Sequence, residues 1–207
     1  MKIYTRNGDK GTTKDFNGTV YEKHDDTINA NGTIDELNSH LGKVLINTKS
    51  SILEKLQHEL FTIGSVISGY NNDYTSNEWV LNIENEINTI LERVPPIRNF
   101  ILPNGSQSCV DIHVARTVAR RAERDLCRLK RTTAIIECIK LINRLSDLLF
   151  MMAYEQNVKD NNLQLANRLV NKKNMFNIFS KNNIIFVLGI TMILLYIFHS
   201  ILEVSIL

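Results

Sequence analysis

Cysteine, proline and glycine are all scarce in this 207-residue chain, and each scarcity removes a class of fold. The three cysteines (Cys109, Cys127 and Cys138) are too few and too widely spaced for a disulfide framework or a zinc site, and they suit a reducing compartment as small buried apolar residues. Three prolines and nine glycines are too few turn-formers for a many-turned all-β domain. An excess of one charge is also missing. Twenty-four Lys and Arg against 22 Asp and Glu leave a net charge of +2, which excludes a strongly basic nucleic-acid scaffold and an acidic disordered chain. No GxxxxGK[ST] phosphate loop occurs. His24, His40, His58 and His199 show no ligand spacing and His113 reads as an orienting or packing residue rather than a ligand, so no metal site is expected. No apolar run follows Met1, which predicts neither a secretory leader nor, with sequence motifs starting at residue 3, a transit peptide.

What is present is mostly helical. After a short β-like run, Lys2 to Arg6, comes the polar loop NGDKGTT. Thr33 to Glu36 fits a capping box, which predicts a helix from Ile34 to about Asn47. Apolar residues at helical spacing predict further helices over about 51–68, 78–94, 108–131 and 133–156, the third stopped by Pro95-Pro96. Five helices joined by short loops read as an all-α, five-helix bundle.

Charge is distributed unevenly along it. Residues 108–131 carry a local charge of +4, leaving −2 for the remainder. Arg116, Arg120 and Arg124 follow at i, i+4 and i+8 on one helix face, where like charges repel by a few tenths of a kcal/mol per pair. One reading is a solvated face partly neutralised by Glu123 and Asp125. The other is a polyanion site or a salt-bridged subunit interface, for which the planar guanidinium is suited. The glycines of the N-terminal loop allow backbone N–H groups to cradle phosphate beside Lys10.

Five blocks in order then carry a resemblance: IYTRNGDKGTT (3–13), GTIDELNSHLG (32–42), FILPNGS (100–106), HVARTVARRAER (113–124) and INRLSDLLF (142–150). Together they resemble the PduO-type ATP:cob(I)alamin adenosyltransferases, over roughly residues 1–155. The resemblance implies a homotrimer with sites between subunits. The implied reaction moves the 5′-deoxyadenosyl group of ATP to the cobalt of cob(I)alamin, giving adenosylcobalamin and triphosphate. It places Thr5, Asn7, Gly8, Asp9, Lys10, Gly11, Lys23, Arg120, Arg121, Glu123, Arg124 and Asn143 at ATP, with Mg2+ as counter-ion. Arg120 and Phe100 are the implied catalytic residues, Phe100 packing beneath the corrin; without the family, Phe100 reads as core. Asp35 and Arg116 match an inter-subunit salt bridge. A reductase and an adenosylcobalamin-dependent acceptor enzyme are the implied protein partners.

The chain departs from the family pattern at Asn104-Gly105, where GG is usual, and at Leu148. Thr27 and Asn31 are further departures, expected near the nucleotide loop and so bearing on ATP affinity.

Beyond the resemblance, residues 156–183 hold nine asparagines and read as an Asn/Lys-rich linker. Ile184 to Leu202 is a run of 19 uncharged residues, about 28 Å as a helix and close to the thickness of a bilayer core. Lys172, Lys173 and Lys181 precede it, so the expectation is an extra C-terminal transmembrane helix anchoring a cytoplasmic catalytic domain. The alternatives are a catalytically silent, membrane-tethered cobalamin or ATP carrier or sensor, and a purely structural tethered bundle.

Overall fold

The computed structural model describes Tyr4, residues 6–15 and residues 17–166. The expected linker beyond Ala166 and the apolar run 184–202 lie outside the described residues, as do Met1–Ile3, Thr5 and Phe16. Among the described residues no helix is long and apolar enough to cross a membrane.

Two short strands, β1 (Thr12–Lys14) and β2 (Val20–Glu22), form an antiparallel hairpin in which Thr13 faces Tyr21. Sequence periodicity did not predict it, because three-residue strands are too short to show alternation. Five helices follow: α1 (Asp26–Thr48), α2 (Ser51–Ile67), α3 (Asn77–Arg93), α4 (Gln107–Leu126) and α5 (Thr133–Lys159).

The helix starts are set by short polar side chains. Ser50, Ser106 and Thr132 each accept a hydrogen bond from the third residue of the helix that follows. Helix α1 corrects the expected capping box. It starts eight residues before Ile34, where Asp25 accepts from the Thr27 N–H at 2.8 Å. Thr33 sits mid-helix, its hydroxyl bonded to the Asn29 carbonyl and to Asp125 of α4. Helix α4 is shorter than expected, ending at Leu126 rather than Arg131, and α5 runs three residues longer, to Lys159.

Helix α4 packs between α1 and α5; α2 lies on α1, and α3 lies on α5. The core is continuous through Leu37, Leu41, Leu56, Ile112, Leu141 and Leu145, all almost fully buried. At roughly 1.5–3 kcal/mol for each fully buried large aliphatic side chain, this packing outweighs the weak helix propensity of Asn29, Asn31 and Gly32. Polar ties cross it: Lys43 of α1 meets the buried Asp111 of α4 at 2.8 Å, and Glu137 of α5 accepts from both the N–H and the hydroxyl of Ser76 before α3. Cys109 and Cys138 are buried as expected, whereas Cys127 is exposed because it lies one residue past the end of α4.

Candidate functional site

The N-terminal loop is a tight turn ahead of β1. The Asp9 N–H donates to the Arg6 carbonyl at 3.3 Å, and the Gly11 N–H to the Gly8 carbonyl at 3.2 Å. Lys23 closes it from the far side of the hairpin: its N–H donates to the Gly11 carbonyl at 2.8 Å, and its ammonium lies over Gly8, where a Cβ would come within 3.0 Å of Nζ. Asn7, Gly8, Asp9, Lys10, Gly11 and Lys23 are thus brought together; Thr5 lies outside the described residues.

The arginines of α4 and of the turn after it divide by what they touch. Arg121 pairs with Glu36 of α1, and Arg128 pairs with Asp125 at 3.3 Å. Arg120 is exposed and, among the described residues, meets no carboxylate. Arg124 donates only to the Arg120 carbonyl, at 2.9 Å. Lys10 and Lys23 likewise have no acidic partner among the described residues. Four of the cations expected at the nucleotide therefore have no acidic partner among the described residues, whereas Arg121 has one. Of the two acids expected to neutralise this face in part, Asp125 pairs with Arg128 and Glu123 accepts from Asn143.

Beside them runs a polar chain. Asn143 of α5 donates from Nδ2 to Glu123 at 3.1 Å and accepts at Oδ1 from Arg144 at 3.2 Å. Arg144 is held in turn by Glu84 of α3 at 2.7 Å and by Asp147 at 3.6 Å. The amide of Asn143 is thereby fixed in one orientation, and Asp147 reaches it only through Arg144.

Arg116 and Asp35 do not meet within the chain. Arg116 is half-buried with its Nε unpartnered, and desolvation, then the neighbouring Arg120 charge, lower its pKa. Asp35 is exposed on α1, with no hydrogen bond or ion pair among the described residues. His113, one turn before Arg116, is 4% exposed and neither ring nitrogen has a partner. Burial, then the Arg116 charge, pushes its pKa down to about 4, so it is a neutral packing residue, as expected.

Phe100 corrects its core reading: it is 88% exposed, at the start of an extended link whose next residue, Ile101, packs on the core. At 1.5 Å per residue, Arg120 stands roughly 20 Å along α4 from the end that bears this link.

The sequence reading missed one feature. A cleft of about 450 Å³ between α1 and α2 is lined by Asn31, Asp35, Leu60, Phe61, Gly64 and Tyr70, among others. Phe61 is 71% exposed and Tyr70 is also exposed. The available signal was an aromatic residue off the apolar stripe of α2. Asn31 lines this cleft, donating to the Ser68 hydroxyl at 3.3 Å, rather than the nucleotide loop. Thr27 is the residue whose N–H is capped by Asp25. The described residues contain no group of three His, Cys, Asp or Glu side chains able to hold a metal ion.

A family model described as cobalamin adenosyltransferase matches residues 3–156. The corrinoid adenosyltransferase PduO of Citrobacter freundii is 38% identical over 164 residues, 74% of this chain and 49% of that protein. The corrinoid adenosyltransferase of Bacillus subtilis is 36% identical over 171 residues, 77% of this chain and 88% of that protein. This chain therefore spans about half the length of the first relative and most of the second. Among solved structures, a variant PduO-type ATP:corrinoid adenosyltransferase from Lactobacillus reuteri, complexed with cobalamin and ATP, matches with a TM-score of 0.72 at 32% identity. The match covers 81% of this chain and 97% of that one.

Proposed function

The chain belongs to the cobalamin adenosyltransferase family, and on that premise we propose that it transfers the 5′-deoxyadenosyl group of ATP to the cobalt of cob(I)alamin. The observation that carries this reading is the set of uncompensated cations, Lys10, Lys23, Arg120 and Arg124, in a chain whose other arginines on α4 and α5, apart from the half-buried Arg116, are paired with acids.

The chemistry needs little else from the protein. Co(I) supplies the electron pair that forms the bond to C5′. The C5′–O bond breaks, and the triphosphate departs with that bond's electrons. Charge thus builds on the phosphates, and fixed cations that meet it lower the barrier. Arg120 is the residue given this role, with Arg124, Lys10 and Lys23 binding the phosphates. Arg121 approaches the nucleotide only by giving up Glu36. Glu123 holds the Asn143 amide toward the nucleotide. Mg2+ would travel with the nucleotide's phosphates, since no group of three His, Cys, Asp or Glu side chains among the described residues could hold it.

The corrin reading rests on exposed aromatics. Phe100 and Phe61 each present a large apolar face to solvent that a flat apolar ligand would cover. Asp35 and Arg116 are complementary charges with no partner for either among the described residues. They support a homotrimer in which Asp35 of one subunit pairs with Arg116 of the next. That pairing would set the α1–α2 cleft, which Asp35 lines, beside the neighbour's α4.

We place the end of the catalytic domain near residue 165 rather than 155, because α5 runs to Lys159 and Leu165 bridges back to Ile101, with the Asn/Lys-rich linker following it. The uncharged run 184–202 supports a membrane-anchoring helix with the catalytic domain on the cytoplasmic side. Carbonate washing of membranes tests this, and release of the full-length chain would refute it. The principal test supplies ATP and chemically reduced cobalamin and follows the Co(I) spectrum. One triphosphate released per Co(I) consumed is expected. Saturable binding of both substrates without turnover would refute the reaction and leave a carrier.

A further inference from the structure

The link that carries Phe100 is tied down by the end of α5 and the residues after it, through contacts the proposed reaction has not used. Asn157 is fully buried and donates from Nδ2 to the Asn104 carbonyl at 2.9 Å. Its other amide atom faces Gly105, which has a φ of 127° and where any Cβ would run into Asn157 Oδ1. Glycine at 105 is therefore required twice, by its backbone angle and by contact with Asn157.

Asp160, at the end of α5, accepts from the Ser106 hydroxyl at 2.5 Å and from the Gln156 amide at 2.9 Å. These two bonds, Ser106 first, lower its pKa, so it remains an ionised acceptor. Past the helix, the chain turns back alongside the link. The Leu102 N–H donates to the Gln164 carbonyl at 2.9 Å, and Ile101 and Leu165 form an antiparallel bridge. The Asn104 side chain donates to Gln164 Oε1 at 2.7 Å, a bond that the glycine usual at this position could not make. From below, the Cys109 thiol lies 3.2 Å from the Asn104 carbonyl, and burial raises its pKa to about 11, which keeps it protonated as a donor.

We propose that Asn157, Asp160 and Gln164 are positioning residues that fix residues 100–106 in the conformation presenting Phe100 to the corrin substrate. The logic is mechanical. Phe100 is 88% exposed, so its placement depends on its neighbours along the chain. Ile101 anchors one side in the core, and Asn104 to Ser106 are held on the other by three side chains from the end of α5 and the residues after it. A misplacement on the order of 1 Å at a reacting centre is worth up to about a hundredfold in rate. This inference rests on the corrin role given to Phe100.

The test uses the full chain with the double substitution Asp160→Ala/Gln164→Ala, the single Asp160→Asn, and Phe100→Ala as reference. Steady-state kinetics are measured with ATP and cob(I)alamin varied separately, together with chymotryptic cleavage at Phe100. The double variant should raise the KM for cob(I)alamin, or lower kcat, by about tenfold while the KM for ATP stays within about twofold. Its cleavage at Phe100 should be faster. Asp160→Asn keeps an acceptor for the Ser106 hydroxyl and should behave like the parent. Should Phe100→Ala be impaired while the double variant turns over normally, the positioning role is overturned, even if thermal stability falls. Equal changes in both KM values would also overturn it. Should Phe100→Ala itself turn over like the parent, the fault lies in the corrin role of Phe100, and the inference falls with it. Asn104→Gly gives a milder check, since it removes the bond to Gln164 without touching the core.

Discussion

Replacing Arg120 with alanine should move activity and stability in opposite directions. Arg120 is exposed, meets no acid among the described residues, and stands one turn from Arg116, whose half-buried guanidinium is already disfavoured by desolvation and by the Arg120 charge. Removing Arg120 relieves that like-charge contact, and because Arg120 itself is solvated the gain is only a few tenths of a kcal/mol. Alanine adds slightly through its helix propensity. For a chain of this size that corresponds to a rise of about 1–2 °C in the unfolding midpoint. Activity should fall by about 10²–10³, the usual cost of removing one donor aimed at developing charge. Thermal unfolding by circular dichroism and the Co(I) assay are run on the same preparation. Unchanged turnover would refute the role of Arg120 at the triphosphate. A fall in the midpoint of several degrees would refute the claim that the chain leaves this arginine uncompensated.

Protonation of His113 should weaken the fold in acid. Its pKa is about 4 when folded and 6.5 as a free side chain, so the unfolded state binds the extra proton and stability falls as pH drops from about 6.5 towards 4. Urea titrations of a His113→Leu variant should lack that portion of the slope; an unchanged slope refutes the assignment. Asp35→Arg should weaken subunit association, and adding Arg116→Asp should restore it, as followed by light scattering; no effect of the single change refutes the interface pair. Gly105→Ala should destabilise by about 2–4 kcal/mol from backbone strain and displacement of a buried amide. A midpoint in urea within error of the parent would refute the close approach to Asn157.

The bundle was legible because four helices present apolar residues at helical spacing that the core then uses, such as Leu53, Leu56, Leu60 and Ile63 of α2. The start of α1 was not. Two asparagines and a glycine before Ile34 read as loop, and Thr33 with Glu36 imitates a cap. What keeps that segment helical is tertiary, namely Ala30 and Thr33 buried within the bundle and Thr33 bonded to Asp125. Of the candidate site, residue types were visible but commitments were not. Nothing in the spacing distinguishes Arg121, which is paired, from Arg120, which is not, because the deciding acid, Glu36, is 85 residues away. The cleft at Phe61 escaped for a related reason: it exists only once α1 and α2 are side by side.

On the proposed function, the hairpin would set how the nucleotide is received. Its tip is fastened to the bundle by an exposed hydrogen bond, Asn17 Nδ2 to the Ser68 carbonyl at 2.8 Å, and its strands are three residues long. With so little apolar burial, it should open at a far lower free energy than the helices, and amide exchange there should report local rather than global unfolding. A ligand that binds only the closed hairpin spends part of its affinity on ordering it, and the same ligand should slow that exchange. The loop over which Lys23 folds would then act as a clasp: loose before the phosphates arrive, and tightened by them.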